Sequence, residues 1–149
     1  MSVAPAEQVS ACLFETDFVT WLDRMADSIR HGASVSTQDR LLLAEEISNM
    51  ARKDRKEIRS RAEILLIHLL KVRYQPDKQT RSWDLTILDQ REELAELLKE
   101  SPSLRQTLKA SWEKVYQNAR KKAQIETGLD IFPATAPFTL DYALTDPED

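Results

Sequence analysis

Ile64-Leu65-Leu66-Ile67-His68-Leu69-Leu70 is the stretch on which the fold turns. It is the middle of a helix predicted from about Asp54 to Tyr74, and it is apolar nearly all round. Pro76 then ends the helix. A helix that is apolar nearly all round has to be surrounded by other elements. The sequence therefore predicts a central helix inside an all-α fold.

Helix signals recur on both sides of it. Towards the N-terminus, Ser36 or Thr37 can cap a second helix with Asp39 in its first turn and a stripe of Leu43, Ile47 and Met50. Whether that helix breaks at the charged run from Arg52 to Lys56 or continues through it is left open. Before it, Thr16 caps a first helix with Asp17 in its first turn, where a carboxylate favours the positive end of the dipole. Its stripe is Phe18, Trp21, Leu22, Met25 and Ile29, and Gly32 ends it. Towards the C-terminus, Ser82 caps a fourth helix reaching Glu100. Ser101-Pro102 opens a fifth, with Leu104, Leu108, Trp112, Val115 and Ala119 on one face. Arg120, Lys121 and Lys122 suit the negative end of that helix, and Gly128 closes it.

After Gly128 come Pro133, Pro137 and Pro147 among Leu129, Ile131, Phe132, Phe138, Leu140, Tyr142 and Leu144. This composition reads as a strap packed on the bundle, with a short helix after Thr139. The expected organisation is a loose N-terminal segment over 1–13, a single helical domain over 14–146 that includes the strap, and a tail over 147–149. The fold class is all-α: a single-domain bundle of about five main helices with a proline-punctuated C-terminal strap.

Composition narrows the chemistry. With 149 residues, 42% hydrophobic and 31% charged, the chain is long and apolar enough to bury its own core. Its two glycines, Gly32 and Gly128, leave no glycine-rich phosphate loop. Cys12 is the sole cysteine, so neither an internal disulfide nor a cysteine cage for zinc can form. No secretory leader is legible, and no apolar run approaches the ~18 residues of a membrane span. The expected setting is cytoplasmic. The net charge of −4 is unevenly spread: residues 1–51 carry −5, 52–91 carry +5 and 92–149 carry −4. A basic middle between acidic ends can be satisfied within the fold or by a polyanion.

At about 100° per residue, Glu46 flanks the stripe of the second helix while Glu45 points away. On the third helix, Ile58, Ala62, Leu65, Leu69 and Val72 form the core stripe. Beside it runs a polar row: Glu57, Arg61, Ile64, His68, Lys71 and Gln75. On the fourth, Trp83, Ile87, Leu94 and Leu97 share a face with Gln90 in its middle and Arg91 adjacent. Polar groups there cost roughly 1–3 kcal/mol each unless hydrogen-bonded. Two readings follow: a sealed polar network, or a ligand or partner site made of Glu46, His68, Lys71, Gln75, Arg81, Trp83, Gln90 and Arg91. Catalysis is a third, but no complete set can be assembled. With His31 as the only other histidine, and Glu63 and His68 spaced five apart, no metal site is expected and no catalytic residue is nominated. No cofactor is called for.

Several motifs in order carry a family resemblance. Ala44-Glu45-Glu46-Ile47 is followed by His68-Leu69-Leu70-Lys71 and Tyr74-Gln75-Pro76. Then come Arg81-Ser82-Trp83, Gln90-Arg91 and Ser101-Pro102-Ser103-Leu104. Glu126-Thr127-Gly128-Leu129-Asp130 stands before Phe132-Pro133. The chain resembles, from about Thr16 to Asp146, a bacterial family known as domain of unknown function number 29. It departs from the family pattern at Val72, where a tryptophan is expected, and at Ala136, where a cysteine is common. The resemblance implies an all-α fold and an intracellular bacterial setting, and supplies no activity. Three functions stay open: a non-catalytic module binding another protein, an enzyme or enzyme fragment acting on a phosphate-bearing or nucleic-acid substrate, and plain self-association.

Overall fold

The computed structural model describes residues 13–145. Residues 1–12 of the expected loose segment, Cys12 among them, and the 147–149 tail lie outside the described residues. Among the described residues, a helical stretch at 13–16 is followed by α1 (Phe18–Arg30), α2 (Thr37–Tyr74), α3 (Arg81–Glu100), α4 (Leu104–Thr127) and α5 (Leu140–Leu144). A 3₁₀ turn, Pro76–Lys78, separates α2 from α3. Among the described residues there is no strand. The chain's contacts divide it into two compact units, Met1–Arg52 and Lys53–Asp149, and each is described by itself.

The second and third expected helices are one. Between Thr37 and Tyr74 no glycine or proline interrupts 38 residues, and the charged run in the middle is made of good helix formers. Asn49 and Glu45 both accept from the Arg52 guanidinium, and Glu57 pairs with Arg61 at i,i+4, 3.0 Å apart.

In the N-terminal unit α1 begins one residue later than the Thr16 cap predicts. Asp17 is the cap: its carboxylate accepts from the Thr20 N–H at 3.1 Å and from the Thr20 hydroxyl at 2.7 Å. These bonds hold the Asp17 carboxyl below its ordinary value. His31 and then Gly32, at φ +65°, carry the chain out of the helix. Ser36 caps α2 by accepting from the Asp39 N–H. Asp39 sits in the first turn as expected and is only 4% exposed. Its carboxylate accepts the indole N–H of fully buried Trp21 at 3.0 Å. Phe14 and Phe18 pack on the same indole, Phe14 edge-on and Phe18 stacked.

The C-terminal unit is built round the second half of α2, as the ILLIHLL stretch predicts. Leu65, Leu66, Ile67, Leu69 and Leu70 are all buried. They meet Ile87 and Leu94 of α3, Leu108, Val115 and Tyr116 of α4, and Phe132, Phe138 and Ala143 from beyond Gly128. Thr80, not Ser82, caps α3, accepting from the Trp83 N–H. Ser101 and Pro102 form a turn just ahead of α4, whose first residue is Leu104. Gly128 closes α4 in the left-handed region at φ +69°, and Thr139 caps α5, both as expected.

The strap from Gly128 to Thr139 has almost no regular structure, so its carbonyls need partners from elsewhere. Side chains supply them. Tyr116 donates to the Pro133 carbonyl, Trp112 to Phe138, Arg120 to Phe132 and Gln117 to Ala134. All four donors stand on α4. Burial pushes the Tyr116 hydroxyl up to about 12, against a smaller downward pull from Arg120.

Candidate functional site

Seven of the eight side chains expected to form a site lie in the C-terminal unit, and their contacts can be followed one by one. His68 is half-buried, and its Nδ1 lies 2.9 Å from the Ile64 carbonyl one turn earlier. A carbonyl only accepts, so Nδ1 is the donor of this bond. Lys71 has a side chain only 13% exposed; its ammonium pairs with Glu126 of α4 at 3.1 Å and lies 4.4 Å above the centre of the Trp83 ring. An ammonium so far removed from water needs both a counter-charge and a π face. Gln75 precedes the 3₁₀ turn and accepts the Lys78 N–H on its backbone carbonyl.

The α3 residues divide. Arg81, the first residue of α3, is exposed. Trp83 is half-buried beneath Lys71. Gln90 accepts from Arg61 at 3.5 Å, and the same guanidinium reaches Glu57 and Glu93. Arg91 donates to the Ala143 carbonyl of α5 at 3.0 Å. The structure thus joins Lys71 with Trp83 and Glu126, and Gln90 with Arg61, while Arg91 pins α5. Among the described residues no buried side-chain nitrogen or oxygen lacks a partner. Glu46, the eighth, falls in the N-terminal unit and is half-buried there.

The sequence reading missed three partners. Glu126 and the Ala143 carbonyl come from 55 and 52 residues away, and nothing local marks them. Asp39 carried a weak signal: it stands three residues after Ser36, a spacing that fits a capping turn and gives no hint of burial.

In the N-terminal unit the expected core stripe of α2 needs correcting. Ile47 is 58% and Met50 67% exposed, and only Leu43 of the three is half-buried. The unit buries Trp21, Met25 and Asp39 and leaves Ile29 and Leu41 exposed as well. Two helices of this length offer too little surface to cover every apolar residue they carry.

Comparison with known proteins gives one match. The model of the family described as "Domain of unknown function DUF29" matches residues 13–147. The chain belongs to that family. Membership fits the motifs found in order along the chain and brings no activity with it. No curated protein and no solved structure matches the chain. Among the described residues of this DUF29 chain, no group of three or more metal-ligating side chains forms and no helix is long and apolar enough to cross a membrane.

Proposed function

We propose that this chain is a non-catalytic interaction module of the bacterial cytoplasm, and that its N-terminal helical hairpin docks on another protein. One observation carries the reading: Ile47 and Met50 stand on the same stripe of α2 as Leu43 and are more than half exposed. Apolar side chains on one face gain when a partner's apolar surface takes the place of water. The matching occupant is an amphipathic helix with basic flanks. Glu46 borders the stripe, and residues 1–51 carry −5. Acidic rims of this kind steer encounter and select partners more than they tighten binding. The polar row on α2 and α3 then serves the fold, tying α3, α4 and α5 to the central helix.

Burying one such side chain contributes on the order of 1.5–3 kcal/mol, so each is worth roughly tenfold or more in affinity. The test is capture from nuclease-treated host lysate on three tagged full-length chains: wild type, Ile47→Lys/Met50→Lys, and Leu85→Lys. Leu85 is an exposed leucine of the C-terminal unit. The expected result is a stoichiometric protein on wild type and on Leu85→Lys that is absent from the double variant. The same protein on all three chains, or none on wild type, overturns the reading. A wild-type dimer by light scattering that the double variant abolishes also overturns it, because the occupant is then a second copy of the chain.

A further inference from the structure

A furrow runs between α2 and α4 in the C-terminal unit, well away from the polar row. Two adjoining clefts form it, of about 350 and 400 Å³, and they share Glu63 and Asn118. Lys56 and Arg59 line it from α2, and Lys114, Lys121 and Lys122 from α4. Five cations therefore line the furrow, whose one carboxylate is Glu63. Lys122 takes that carboxylate in an ion pair. Among the described residues the other four meet no carboxylate within ion-pair distance.

The polar residues of the furrow fit the same ligand. Ser60 and Asn118 spend no side-chain hydrogen bond inside the fold, among the described residues, so their O–H and N–H donors are available, whereas Ser111 has already given its O–H to the Thr107 carbonyl. On α4 the lining residues run from Ser111 to Ile125 along one face, each turn contributing one or two of them. At 1.5 Å per residue that row is about 21 Å long, several times the reach of one phosphate group. Each cleft is at the small end of the range for ligand sites, and a duplex does not enter it. No aromatic side chain lines either cleft, so bases find nothing to stack on and sequence is not read.

We propose that this furrow holds an extended single strand of nucleic acid by its phosphates, without regard to sequence. Lys56, Arg59, Lys114 and Lys121 each neutralise a phosphate, and Asn118 and Ser60 donate to phosphate oxygens. Four neutralised phosphates on a single strand give a slope of log Kobs against log salt of about −0.7 × 4, or roughly −3. Affinity then falls about fiftyfold between 50 and 200 mM salt.

The experiment is fluorescence anisotropy of a labelled 20-residue oligothymidylate titrated with the full chain across that salt range. The variant Lys114→Gln/Lys121→Gln removes two contacts, so its slope falls to about −1.4 and its salt dependence to roughly sevenfold. Both lysines are exposed, and the fold does not rest on them. The control, Lys78→Gln/Lys99→Gln, removes two exposed cations outside the furrow and is expected to bind as wild type does. Absence of saturable binding at 50 mM salt overturns the proposal, as does equal loss in the control pair. Tighter binding of a 20-base-pair duplex overturns the single-strand assignment. Displacement by inorganic tripolyphosphate at matched phosphate concentration overturns it in favour of a short phosphate ligand.

Discussion

Removing the Asp39 carboxylate tests how the N-terminal hairpin is held. Trp21 is fully buried, so no water reaches its indole N–H, and Asp39 is the acceptor at 3.0 Å. In Asp39→Ala that donor has no partner. The penalty for a buried unsatisfied polar group is about 1–3 kcal/mol. Taking about 2 kcal/mol, the equilibrium for local opening of α1 rises about thirtyfold. Asp39→Asn keeps an acceptor oxygen in place and forfeits only the charge assistance, so its effect stays within about tenfold. Amide hydrogen exchange of peptides spanning 18–30, read by mass spectrometry where exchange follows the opening equilibrium, measures both. The expected order is wild type slowest, Asn intermediate and Ala fastest. An Ala variant exchanging at the wild-type rate would falsify the claim that this one bond secures the hairpin.

Three further outcomes follow from the C-terminal unit. Leu94→Ala empties a fully buried position on α3 and is expected to lower unfolding free energy by about 2–5 kcal/mol in urea titration. Gly128→Ala places a side chain at φ +69°, where the added Cβ meets nothing within 4 Å, so backbone strain alone acts; a loss of about 1–2 kcal/mol is expected by the same titration. Tyr116 holds its proton more tightly when folded, up to about 12 against an ordinary 10.0. The folded state is thus the better proton binder between these values, and stability falls as pH rises from about 10 to about 12. Tyr116→Phe removes that fall, and melting curves across this pH range show whether it does.

How much was legible depends on what each residue's neighbours along the chain can say. Five residues of the ILLIHLL stretch are buried as its apolar composition predicts, while Ile64, 38% exposed, and half-buried His68 form the edge that periodicity placed on the polar row. Gly128 and Thr139 were readable because a left-handed closing residue and a capping hydroxyl act within one turn. Thr80 and Ser82 are equally able to cap, and only the path of the 3₁₀ turn decides for Thr80. Ile47 and Met50 mark the limit of periodicity: a stripe shows that one face differs, not that anything covers it. The polar row was found by the same arithmetic, but its partners were out of reach. Glu126 and the Ala143 carbonyl arrive through tertiary packing, and a helical wheel has no means of naming them.

The basic residues of the middle segment separate along the same line. Lys71, drawn almost out of water, has Glu126 and the Trp83 ring, and Arg61, partly withdrawn, has Glu57, Glu93 and Gln90. A charge moved into the protein must be paired or it destabilises the fold. Lys56 and Lys114 stay exposed, and for a solvated charge pairing is optional. Their want of a carboxylate is therefore unremarkable for each lysine taken alone. What calls for an explanation is that they line, with Arg59 and Lys121, one furrow whose single carboxylate is already engaged by Lys122. Mutual repulsion there works against folding at low ionic strength. An anion laid along the furrow converts the same repulsion into attraction. Fold and furrow thus predict opposite responses to salt: added salt steadies the unbound chain and loosens the bound strand.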